Sequence, residues 1–119
     1  MKKVTLASCA LALTLLAGGS ASADPVGGTQ TDHDIARPGY VVQYRFSAYA
    51  DEVTLVEVTG DGDGDIDCRV FDENGGLVGI DTRPVDGCII SLRPRWTGPF
   101  VLKITNEGEV ASLYSLRIY

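Results

Sequence analysis

Four aspartates stand at every second position of the stretch TGDGDGDIDCRVFDENGG, residues 59–76. They are Asp61, Asp63, Asp65 and Asp67, with Gly62 and Gly64 in the first two gaps. Carboxylates are the donors a hard cation such as calcium takes, six to eight oxygens at a time. In an extended segment residues two apart point the same way, so the four carboxylates are expected along one side. Like charges about 7 Å apart repel by about 0.6 kcal/mol per pair even in water. Crowding from Asp72, Asp81 or Asp86 adds to this, a bound cation relieves it, and the two glycines let the backbone curl and offer carbonyls. The four aspartates are therefore the candidate metal ligands, with calcium the candidate ion. The site is not an EF-hand, which needs Gly at the sixth position and Glu at the twelfth. Counting from Asp61, those positions hold Ile66 and Asp72. The competing reading is a solvated acidic turn, because Asp and Gly favour turns and outward acids on an edge strand discourage pairing with other chains.

Other reactive groups are sparse. The single histidine, in Asp32-His33-Asp34, cannot supply the three or four ligands of a zinc site, and is expected to be solvated. Ser47, Ser91, Ser112 and Ser115 have no base within a recognisable acyl-transfer motif. Sixteen acids leave a glycosidase-type carboxylate pair arithmetically open, though no pair stands out. Trp96, between Arg95 and Thr97, has two readings: a surface aromatic that stacks on a sugar or anchors a protein, or a corner residue folding its loop onto the core. The second is favoured, because a buried Trp stabilises a small core strongly.

These groups must be positioned by a chain that begins as a secretory leader. Lys2 and Lys3 precede an apolar run over residues 6–17, followed by Gly18, Gly19, Ser20 and the small-residue stretch Ala21-Ser22-Ala23. The run is shorter than the roughly 20 residues a membrane span needs. Cleavage is expected after Ala23. Cys9 ends a lipobox-like Leu-Ala-Ser-Cys, but the apolar run follows it rather than precedes it, so it belongs to the discarded leader. Losing Lys2 and Lys3 takes the formal charge from −6 to −8. Such a chain repels phosphate backbones and is not drawn to anionic lipid, which sets nucleic acid and membranes aside as partners. The 96 residues from 24 to 119 make one domain with a modest core.

Residues 24–37 are polar and aperiodic and read as a flexible N-terminal arm. After Pro38-Gly39 the chain alternates with period two. Tyr40, Val42, Tyr44 and Phe46 share one face, and residues 53–58 are apolar on both sides, as a central strand would be. Ile66, Cys68 and Val70 face inward, with Asp65, Asp67 and Arg69 outward. Asn74-Gly75-Gly76 turns the chain into residues 77–80. Cys88, Ile90 and Leu92 share a face, as do Phe100, Leu102 and Ile104. Asn106-Glu107-Gly108 turns again, and Tyr114, Leu116 and Ile118 close the chain. About seven short strands at this spacing indicate an all-β antiparallel sandwich or small barrel. Cys68 and Cys88 both fall on the inward phase, and an even pair in an exported chain points to a disulfide. Its loop of about 20 residues contributes ~3 kcal/mol by the chain-entropy estimate.

The ordered segments GDGDGDIDCRVFDENGG, CIISLRPRWTGPFVLKITNEG and YSLRIY resemble the bacterial pre-peptidase C-terminal domain, here in a stand-alone secreted form. The matching positions are Asp65, Asp67, Val70, Trp96, Thr97, Gly98, Phe100, Tyr114 and Leu116, within residues 38–119. The resemblance implies a jelly-roll-like sandwich without catalytic activity, of a kind usually appended to exported hydrolases. It also implies that calcium or extracellular polymers can be ligands. The expectation is thus a secreted accessory or binding domain, periplasmic or extracellular, that meets an extracellular protein or polysaccharide. A carbohydrate- or matrix-binding module is the alternative, and requires an exposed aromatic platform around Trp96, Tyr40 or Tyr49. A small glycoside hydrolase is the third and weakest reading.

Overall fold

The computed structural model describes residues 29–119. The expected leader with Cys9, its cleavage site and residues 24–28 of the expected arm lie outside them. The described residues form no helix and eight strands: β1 (Gln30–Ala36), β2 (Val41–Ala48), β3 (Thr54–Gly60), β4 (Ile66–Asp72), β5 (Leu77–Asp81), β6 (Gly87–Leu92), β7 (Gly98–Asn106) and β8 (Ser112–Ile118). They make two four-stranded antiparallel sheets. The first has the order β1-β8-β3-β6, the second β2-β7-β4-β5. The pairs β1–β8, β2–β7, β3–β6 and β4–β5 are those of one long hairpin rolled up on itself, which is the jelly-roll arrangement.

The alternation read from the sequence is the cause of this packing. Val56, Val58, Cys88, Ile90, Leu92, Tyr114, Leu116 and Ile118 point inward from the first sheet. Phe46, Ile66, Cys68, Val70, Phe100, Leu102 and Ile104 meet them from the second, all at most 4 % exposed. Burying each of the larger side chains stabilises the fold by about 1.5–3 kcal/mol. β3 lies between β8 and β6, as its two apolar faces require. Cys68 of β4 and Cys88 of β6 form a disulfide with Cα atoms 6.1 Å apart, tying one sheet to the other through the core. Gly79 occupies an inward position of β5 because a Cβ there would stand 2.6 Å from Ile90 Cγ2.

One expectation is corrected. Residues 30–36, assigned above to a flexible arm, are β1, paired with β8 from Gln30↔Ile118 to Ala36↔Ser112. Its side chains are mostly exposed, so it lacks the apolar alternation that marks a half-buried strand. It is an edge strand, and its two aspartates and histidine keep that edge from pairing with other chains.

Candidate functional site

The loop between β3 and β4 is not extended. Gly62 takes φ +100°, in the left-handed region that favours glycine, and residues 62–64 form bends. The two-residue alternation therefore fails here, and the four aspartates separate. Asp61 turns toward β8: its Oδ2 accepts the Leu113 N–H at 3.1 Å and its Oδ1 the Asp63 N–H at 3.1 Å. These backbone donors hold the Asp61 carboxyl below the usual carboxylate range. The Ser112 hydroxyl lies 3.1 Å from Asp61 Oδ1 and 2.9 Å from Asp86 Oδ2. Asp86 Oδ2 also accepts the Gly62 N–H at 2.6 Å. Asp63 is exposed at the loop tip. Asp65 and Asp67 stand elsewhere, at the β4 end of the second sheet's outer face, where Thr105 pairs with Asp67.

Asp67 departs further from expectation. It is on the outward phase, yet only 8 % exposed. Burial, and after it the charges of Asp65 and Glu107, raise its pKa above the ordinary carboxylate range. Two buried oxygens at this end have no hydrogen-bond partner, Asp65 Oδ1 and Thr105 Oγ1. A donor-poor group of oxygens beside a reluctant carboxylate is chemistry a hard cation suits. Among the described residues, however, no three His, Cys, Asp or Glu side chains converge closely enough to hold a metal ion. Asp61 is committed to its backbone donors. The four alternating aspartates therefore do not come together, and of them only Asp65 and Asp67 lie beside the unpartnered oxygens.

Asn106 organises this end, a role that its reading as a turn residue missed. Its side chain is 1 % exposed. Nδ2 donates to the carbonyls of Ala36 and Val110, both at 2.8 Å. Oδ1 accepts the N–H groups of Asp65 at 3.1 Å and Gly108 at 2.9 Å. One amide thus fixes the end of β1, the β7–β8 turn and the start of β4, using all the hydrogen bonds its two donors and two lone pairs allow.

The other acids named above are engaged separately. Asp72 caps its hairpin by accepting the N–H groups of Asn74 at 2.9 Å and Gly76 at 2.8 Å. Asp81, 7 % exposed, accepts from Arg83 Nε and from the Ile89 N–H of β6 at 2.9 Å, joining the adjacent edges of the two sheets. Arg83 holds the Asp81 carboxyl far below its ordinary range. The two buried acids act oppositely on stability. The contribution of Asp81 is present above the unfolded value of about 3.9 and is lost as pH falls through its lower folded value. That of Asp67 is complete below about 3.9 and is lost as pH rises through its higher folded value. Asp81→Ala is expected to cost about 1–2 kcal/mol at neutral pH by leaving the Ile89 N–H without its acceptor. Urea unfolding of the variant measures it.

Trp96 is not buried. Its ring is 40 % exposed and stacks on Phe100 with centroids 6.2 Å apart, so it covers the core from the corner while one side meets solvent. Tyr40 is exposed beside the start of β2, and Tyr49 is half-buried beyond its end. Tyr40 and Trp96 flank opposite ends of the β2–β7 pair, some 25 Å apart at about 3.3 Å per residue, and cannot share one platform. His33 meets Ser115 across the β1–β8 pair, Nδ1 to Oγ 3.2 Å, a contact hidden while residue 33 was read as part of an arm. Both are exposed. Asp32 and Asp34 alternate to the other side of β1, where they do not orient the imidazole.

No protein-family model matches the chain, and no curated protein matches it. The disulfide-tied jelly roll stands on the structure itself, and the family resemblance stands on the residues quoted for it.

Proposed function

We propose that the protein is a secreted, non-catalytic accessory domain of the pre-peptidase C-terminal type, which binds its partners on its surface and is stabilised by calcium. The observation that carries this reading is the donor-poor acidic end of the second sheet. There Asp65 Oδ1 and Thr105 Oγ1 are buried without partners, and Asp67 is pushed toward its neutral form by burial and by Asp65 and Glu107. Calcium would supply positive charge there, with Asp65 and Asp67 as its carboxylates and the Thr105 hydroxyl beside them. The resemblance, the leader-like first residues and the disulfide support export to an oxidising compartment.

Thermal unfolding with calcium and with chelator tests this. At about tenfold over a Kd in the millimolar range of extracellular modules, calcium stabilises by about 1.4 kcal/mol. That is a rise of roughly 6–10 °C in Tm for a domain this size. Asp67→Asn is expected to abolish the calcium-dependent rise, and to raise the Tm in chelator at neutral pH by removing the buried charge. A melting temperature indifferent to calcium at about 5 mM would count against the metal.

A further inference from the structure

The outer face of the second sheet carries a second feature, beyond its acidic end. Three consecutive strands of that sheet, β2, β7 and β4, each place one cation on this face: Arg45, Lys103 and Arg69. Lys103 pairs directly with Arg69, and Arg45 pairs with Val101, one step along the same face. In a chain with formal charge −6, a cluster of three cations is a marked reversal of sign. Like charges directly opposite on one sheet face repel, and Lys103 stands beside Arg69 although only Arg69 has an acid, Asp67, near it on this face. Among the described residues the ion pairs within 4.0 Å are Arg83–Asp81 and Arg117–Glu57; none of the three takes part. Lys103 Nζ instead rests 5.0 Å from the centre of the Phe71 ring, which keeps its charge at the surface.

We infer that this strip, Arg45, Lys103 and Arg69 with Phe71 and Val101 between them, is a docking surface for an acidic polysaccharide bearing carboxylates. Strands lie about 4.8 Å apart, so an anionic chain crossing them meets Lys103 and Arg69 side by side, with Gln43 beyond Lys103 on β2 and Arg45 one step along the same face. A chain lying along the strands would run onto Asp67, whereas one crossing them meets Gln43, Lys103 and Arg69 and no acid. Phe71, Val101 and, on the flanking β5, the exposed Ile80 offer apolar surface to sugar-ring faces. Duplex nucleic acid fits less well, since its phosphates extend far beyond a three-cation strip and would face the acidic remainder of the surface. The inference rests on the protein being a surface-binding module and not on its binding calcium.

Polygalacturonate is the probe, with its methyl-esterified form as the uncharged comparison and duplex DNA as the competing polyanion, measured by calorimetry at about 50 mM and about 300 mM salt. Binding of polygalacturonate is expected at the lower salt, weakened at the higher, and absent for the esterified polymer. The double variant Arg45→Glu/Lys103→Glu is expected to bind at least about tenfold more weakly, while Arg95→Glu on the Trp96 loop binds unchanged. Should the double variant fail to fold, Arg45→Gln, on an exposed side chain, carries the same test. Failure to bind polygalacturonate, equal binding by the strip variants, or tighter binding of duplex DNA each overturns the inference. A calcium-dependent Tm accompanied by no polymer binding overturns this inference alone and leaves the metal reading standing.

Discussion

Asn106→Ala is expected to lower the melting temperature by about 15–25 °C, the cost of roughly 3–4 kcal/mol in a domain of about 90 ordered residues. The magnitude follows from what the amide does. It gives two hydrogen bonds to carbonyls of Ala36 and Val110 and accepts two from Asp65 and Gly108, in a position 1 % exposed. A typical intramolecular hydrogen bond contributes about 0.5–1.5 kcal/mol, and a buried group left without its partner costs more. Truncation to alanine strands four backbone groups at once. The damage should be local as well as global, because the amide holds β1 to the rest of the molecule at its C-terminal end. Hydrogen exchange of the variant is therefore expected to quicken first in β1 and in the β7–β8 turn. A variant that melts like the parent would mean that water replaces the side chain without penalty.

Replacing both Cys68 and Cys88 by alanine is expected to cost about 3 kcal/mol from the freed chain entropy of a 20-residue separation, with a further cost for the space the sulfurs leave. The bond also joins the two sheets near the edges where β5 and β6 adjoin, so its loss should loosen those edge strands before the centre of either sheet. Both cysteines are at most 1 % exposed, which makes reduction under native conditions slow and dependent on opening of the sandwich. Urea midpoints of the parent and the double alanine variant give the difference. Equal midpoints would remove the disulfide from the account of stability.

The strands legible in the sequence were those with one wet face and one dry face. Ile66, Cys68 and Val70, then Cys88, Ile90 and Leu92, then Phe100, Leu102 and Ile104 alternate because the core is on one side of each strand. That phase also brought the two cysteines to the interior. β1 stayed hidden because an edge strand over residues 30–36 buries little and needs no apolar period. Its pairing is specified by β8, not by its own composition. The alternation of Asp61, Asp63, Asp65 and Asp67 misled for the opposite reason: period two has meaning only in extended backbone, and the bend at Gly62 removes it. Asp67 lay on the predicted face but in a covered position, and no single-sequence signal distinguishes covered from open on an outward phase. Asn106 had the composition of a turn former. Its importance comes from three segments meeting at one place, which only the fold brings together.

The acidic end of the second sheet is the centre of the functional account, and amide chemical shifts during a calcium titration test it most directly. Shifts concentrated at residues 65–67 and 105–107, saturating in the millimolar range and absent in Asp67→Asn, are the expected result. Shifts centred instead on Asp61, Asp86 and Ser112, or a spectrum unchanged by calcium, would contradict it.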